Sequence, residues 1–112
     1  MDAKTKAPIL LLQDPGERIM LPIWIGGFEA GAIMVALKGK KQSRPMTHDV
    51  MADMVHKLDG ELISVDISSL SDATFFATLR LRCADGRDQA IDCRPSDGVA
   101  LALRLGAPIR VE

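Results

Sequence analysis

Tyrosine is absent from this sequence and aromatic residues are scarce: one tryptophan and three phenylalanines, 4% of the chain. That scarcity argues against a surface that reads single strands by stacking a row of bases. Phe28, Phe75 and Phe76 are expected in the core or at an interface. An excess of charge of one sign is missing too. With 14 basic and 15 acidic residues the formal net charge is -1, so nucleic-acid or anionic-lipid binding needs a local patch. Cysteine is limited to Cys83 and Cys93, too few for a four-ligand zinc site, with the two histidines elsewhere in the chain. Without a secretion signal they are expected as reduced core thiols on neighbouring strands, where they could face each other. No apolar run reaches membrane-spanning length, and ILLL after Pro8 is too brief for a signal peptide. A soluble, cytoplasmic protein that binds no membrane is the expectation.

What is present suffices for one domain. The 112 residues are 47% hydrophobic, enough for a core and too short for a second domain of ordinary size. Residues 1–7 are expected as a disordered polar tail, and 8–112 as the folded domain. ILLLQ from Ile9 reads as a strand, DPGE at Asp14 to Glu17 as a tight turn, and Ile19 to Ile25 as the antiparallel return. Pro22 removes a ladder donor and belongs at an edge, a bulge or a strand end.

The spacing predicts a helix from Phe28 to Lys38, closed by Gly39. It is apolar nearly all round, so burial against a sheet or a partner chain is expected, with Trp24 packing against it. A second helix begins near Thr47, read as its N-cap with Met46 and Met51 as a hydrophobic staple. Its apolar stripe is Val50, Met51, Met54, Val55 and Leu58, and Gly60 ends it. Alternation then predicts a strand with Ile63, Val65 and Ile67 on one face. In the next, Phe75, Ala77, Leu79, Leu81 and Cys83 oppose Thr78, Arg80 and Arg82. Asp85-Gly86 signals a hairpin into a return strand, Arg87 to Cys93. Pro95 stops that strand, Ser96 is expected to cap a helix running to Arg104, and Ile109 to Val111 is a terminal strand. The expected fold is α+β: a compact, mixed or mostly antiparallel sheet with three helices, in a single domain.

The runs LPIWIGGFEAGAI, RPMTHDVM, ATFFATLRL and IDCRPSDGVALALRLGAPI, in that order and spacing, resemble the bifunctional nuclease family. The resemblance implies a compact domain that forms dimers or higher oligomers, with RNase and DNase activity among some plant members. It places the family's polar positions on Glu29, Arg44, Thr47, His48, Asp49, Asp92, Arg94, Ser96 and Asp97. An upstream strand usual in the family is expected to be missing here, which would leave a sheet edge seeking a partner. Gly98 stands where alanine is usual and is expected to weaken its helix slightly.

Hydrolysis of a phosphodiester needs an activated water and neutralisation of charge on the phosphoryl oxygens. A divalent ion held by carboxylates does both, and arginine holds phosphate. The kit implied here is Asp92 and Asp97 as ligands of magnesium or manganese, Arg94 as the phosphate clamp, and Glu29, Asp49 and His48 beside them. Each has a plainer reading. Asp97 and Glu29 suit a helix first turn, Asp92 and Arg94 can clamp the strand-to-helix crossing, and His48 can be a hydrogen-bonder near a cap. Asp49 and Asp53 are like charges one turn apart, with Lys57 to relieve them. Lys38, Lys40, Lys41 and Arg44 form a basic loop that either holds a nucleic-acid backbone or is merely solvated. Two readings stay open: a homo-oligomeric, metal-assisted nuclease, dimer foremost, or a non-catalytic oligomeric module binding an unknown ligand. Within either, the polar motif can serve stability alone.

Overall fold

The computed structural model describes residues 9–13, 20–39, 43–69 and 74–111. The expected tail, the DPGE turn, Lys40, Lys41 and the side chain of Trp24 lie outside what it describes. Two strands, β1 (Ile9–Gln13) and β2 (Met20–Trp24), pair antiparallel as a separate two-stranded sheet. Every strand of such a sheet is an edge, which is how Pro22 can sit opposite Leu11 in mid-strand.

The main sheet has four strands in the order β5-β4-β3-β6. β3 (Glu61–Ser69) runs antiparallel to β4 (Phe75–Arg82), which pairs antiparallel with β5 (Asp88–Cys93), and β6 (Ile109–Val111) joins β3 in parallel. The β4–β5 hairpin turns through Asp85-Gly86, with Gly86 at φ 88°, a left-handed conformation that glycine adopts without strain. The expected alternation of β4 holds: Ala77 and Leu79 are buried, while Arg80 and Arg82 face outward. In β3 it is broken. The register shifts between Leu62 and Ser64, so a bulge at Ile63 puts Leu62, not Ile63, in the core with Val65 and Ile67. Cys93 pairs with Ala77 at one end of the hairpin, whereas Cys83 follows Arg82 at the other, so the two free thiols do not face each other.

Three helices complete the domain: α1 (Gly27–Lys38), α2 (Thr47–Lys57) and α3 (Pro95–Leu105). α3 lies against β3 and β4, and α1 and α2 pack on α3. Val99, Ala100, Leu101 and Ala102 meet Val65, Ile67, Ala77 and Leu79 in one core. Gly98 sits at that contact. A Cβ there would come within 2.7 Å of Val65 Cγ1, so alanine would make Val65 or α3 shift, and the glycine is no simple weakening of the helix.

Within this chain α1 buries only Ala32 and Ile33, on the α3 side, and Phe28, Met34 and Leu37 are exposed, a face on which a partner chain was the other expectation. Two further expectations need correction. Thr47 and Ser96 are not caps: Met46 and Arg94 hold the N-cap positions, and Ser96 is buried inside the first turn of α3. The inner face of α2 is His48 and Ala52, with Met51 and Val55 half-buried, while Val50, Met54 and Leu58 are exposed. The apolar stripe read from periodicity was thus rotated away from the true contact, because a polar residue, His48, occupies its centre.

Candidate functional site

Each helix begins with an N-cap whose side chain makes no capping bond, Gly26, Met46 and Arg94 respectively. Each then carries an acid at its third position: Glu29, Asp49 and Asp97. That position faces the unpaired N–H groups and the positive end of the helix dipole. Asp49 uses it directly, since its carboxylate accepts the Met46 N–H at 2.8 Å.

The other two acids are drawn together by Arg94. Its Nη1 donates to Glu29 Oε1 at 2.7 Å, its Nε to Asp97 Oδ2 at 2.9 Å and its Nη2 to Asp97 Oδ1 at 3.2 Å. His48 adds a fourth link, with Nε2 3.0 Å from Asp97 Oδ1. Glu29, His48, Arg94 and Asp97, from three helices and one strand end, therefore form a single chain of hydrogen bonds. They line an open cleft of about 590 Å³ together with Phe28 and Cys93. Arg94 stays largely in solvent although both its carboxylate partners are mostly covered.

The charges follow from these contacts. Burial raises the Asp97 pKa, but hydrogen bonds from Arg94 and His48 outweigh it and hold the group below its ordinary value. Glu29 is lowered by its own backbone N–H first and then by Arg94. Arg94 is raised by Asp97 and Glu29. Cys93 is pushed up to about 11, by burial first and then by Asp97 and Asp92, which makes it an inert thiol near neutral pH. The cleft lining carries three carboxyl groups, Glu29, Asp92 and Asp97, and one guanidinium, Arg94.

Asp92 borders the cleft, but its register sets it beside Thr78, on the sheet face opposite to Ile91 and Cys93. Asp49 belongs to a neighbouring clamp. Arg104 donates to Asp49 Oδ1 at 2.6 Å and to the carbonyls of Ala100 and Ala32 at 2.9 and 3.2 Å. This joins α3, α2 and α1. Arg104 was missed in the sequence because a basic residue in a last helical turn is an ordinary dipole partner. Also missed was Asp66, buried on the far face of the sheet, where it accepts bonds from Ser64, Arg80 and Arg110. Lys38 and Arg44 are both exposed. Arg44 lies by the start of α1, lining a shallow depression with Phe28, and Lys38 is at its opposite end.

Carboxylate oxygens are suitable ligands for magnesium or manganese. In this arrangement, however, Asp97 gives both of its oxygens and Glu29 gives Oε1 to Arg94 and His48. Among the described residues no group of three His, Cys, Asp or Glu side chains is placed to hold a metal ion. The described residues as folded do not form a ready three-ligand divalent-ion site.

The class defined so far is a small α+β domain that gathers carboxylates and an arginine at converging helix starts. The chain belongs to the bifunctional nuclease domain family, whose model matches residues 10–112. Relatives include an uncharacterized protein of Mycobacterium tuberculosis, 43% identical over 94% of this chain and 62% of that protein. Bifunctional nuclease 2 of Arabidopsis thaliana is 30% identical over 92% of this chain and 32% of its own length. Bifunctional nuclease 2 of Oryza sativa subsp. japonica is 29% identical over 97% and 34%. The chain thus spans about three fifths of the mycobacterial relative and about a third of the plant ones. No helix among the described residues is long and apolar enough to cross a membrane.

Proposed function

We propose that this domain hydrolyses phosphodiester bonds of RNA or DNA, with the Arg94–Asp97 cleft as the reacting site. The observation that carries the reading is the convergence of Glu29, His48, Arg94 and Asp97 on one open cleft, with Glu29 and Arg94 65 residues apart in the chain. Arg94 supplies exposed N–H donors to phosphoryl oxygens. Asp97 and Glu29 keep its guanidinium aimed, and His48 fixes Asp97. Membership in a family with plant bifunctional nucleases supports the same reading. A magnesium or manganese ion would have to compete with Arg94 for the oxygens of Asp97.

The test measures cleavage of RNA and DNA, with and without magnesium or manganese, by wild type, Arg94→Gln, Asp97→Asn and Asp92→Asn. Losing one positioned charge is expected to lower the rate by about 100- to 1000-fold for Arg94 and Asp97, and by far less for Asp92. Equal cleavage by all four proteins would place the activity elsewhere or in a contaminant.

One observation favours the second reading, a non-catalytic oligomeric binding module: Glu29 and Asp97 are both locked to Arg94, as they need not be in an enzyme awaiting a metal. Under that reading ligand binding survives and cleavage is nil. Either way we propose a homodimer. Exposed Met34 and Leu37 on α1 offer contact surface, as does the apolar groove of about 470 Å³ lined by Met51, Met54, Leu58, Leu81 and Ile91. Sedimentation equilibrium decides it, and a monomer at micromolar concentration would remove the proposal.

A further inference from the structure

Phe28 is 95% exposed at the second position of α1. Burying a phenylalanine side chain is worth roughly 1.5–3 kcal/mol, so an aromatic ring left this bare needs a reason. Its neighbourhood is specific. On one side the ring borders the cleft of Glu29, Arg94 and Asp97. On the other it borders a second depression, of about 400 Å³, lined with Gly27, Gly31, Ser43 and Arg44. Phe28 is therefore a ridge between two hollows with an exposed arginine at each. Arg94 is held by its carboxylates, whereas Arg44 has no ion-pair partner among the described residues.

We infer that Phe28 is a stacking platform for one unpaired base of a nucleic-acid strand, with Arg44 and Arg94 contacting phosphates on either side of it. The inference rests on the hydrolytic reading of the cleft and adds to it a substrate class: single-stranded nucleic acid, laid across the start of α1. A flat ring takes any base on its π-face, so binding through it is tolerant of sequence. Paired bases are stacked on one another and cannot cover the ring without local unpairing, so a duplex binds less well. Glycine at 27 and 31 keeps the flank of the ridge low, and a Cβ at either would meet nothing within 4 Å. The other occupant such a ring could have is the same surface of a second copy. The polar rim of Ser43, Arg44, Glu29 and Arg94 fits a phosphodiester strand better than an apolar contact.

The experiment is fluorescence anisotropy of the full chain with labelled 12-nucleotide RNA and DNA, single-stranded and duplex, in EDTA, with the strands confirmed intact after each reading. Phe28→Ala and Phe28→Leu are expected to weaken single-strand binding by about 5- to 150-fold, as loss of one stacked base does. Phe28→Tyr is expected to keep it. Arg44→Gln is expected to reduce the salt slope of log affinity by about 0.7. Wild type failing to bind single strands, or Phe28→Leu binding as wild type does, would overturn the inference. So would Phe28→Ala converting a dimer to monomer with strand affinity unchanged, which assigns the ring to a second copy. Cleavage that depends on Asp97 but strand binding indifferent to Phe28 sinks this inference alone. Phe28-dependent binding with no cleavage sinks the hydrolytic reading alone.

Discussion

The imidazole of His48 and the carboxylate of Asp97, 49 residues apart in the chain, meet with Nε2 3.0 Å from Oδ1. Asp97 is an acceptor, so Nε2 carries the proton. The other ring nitrogen, Nδ1, is buried and has no protein partner among the described residues. With Nε2 on Asp97 and Nδ1 buried, the geometry suits His48 to positioning Asp97 better than to acting as a base.

Replacing His48 with leucine removes one of the groups that stabilise ionised Asp97 and is expected to raise the Asp97 pKa, with His48→Gln falling between. Asp97 is depressed in the folded protein. Its stabilising effect is present above the ordinary carboxylate value and fades as pH falls through the lower folded value. The leucine variant should show that fading at higher pH. Carbon-13 carboxyl titration by NMR reads it, and an unmoved midpoint would show that His48 does not donate.

Arg104 joins three helices through Asp49 and the Ala32 and Ala100 carbonyls. Arg104→Ala is expected to destabilise the domain by about 2–3 kcal/mol in urea denaturation. Asp49 is partly solvated and keeps the Met46 N–H, which limits the loss. A change within a few tenths of a kcal/mol would mean the clamp is ornamental to stability.

Asp66 defines an acid limit. Burial raises its pKa, yet hydrogen bonds from Arg110, Arg80 and Ser64 carry it down to about 2 from 3.8. The stability it contributes, on the order of 2 kcal/mol, is complete above the unfolded value. It is lost between about pH 4 and pH 2. Asp66→Asn should melt lower at pH 7 and show a flatter stability curve across that window; an unchanged acid limb would assign the limit to other groups.

Gly98→Ala tests the closest packing in the core. Although alanine favours helix, its Cβ would press on Val65 Cγ1, and a β-branched neighbour has little rotamer freedom with which to yield. A loss of about 1–3 kcal/mol is expected, largely restored by adding Val65→Ala. Neutral or higher stability in the single variant would show that α3 can shift off the sheet.

Much of this was legible beforehand. β4 and the β4–β5 hairpin follow from strict alternation and Asp85-Gly86, and the ends of α1 and α3 follow from Gly39 and Gly106, both at positive φ. Within the candidate site, the family motif pointed to Glu29, His48, Arg94 and Asp97. Asp92 lines the same cleft as Asp97, but strand register sets it beside Thr78, a placement that closeness in sequence does not reveal. Phe28 lies outside this chain's core, because an apolar helix does not say which of its faces will find a cover.

The amino-acid sequence by itself determined the local elements and the acid at the third residue of each helix, since dihedral preferences, alternation and the helix dipole act over a few residues. Only tertiary structure decided that Glu29 and Asp97 share Arg94 while Asp49 goes to Arg104, and that Phe28 stands bare. Those choices depend on how α1 and α2 are set against α3, and so on the packing of surfaces far apart in the chain.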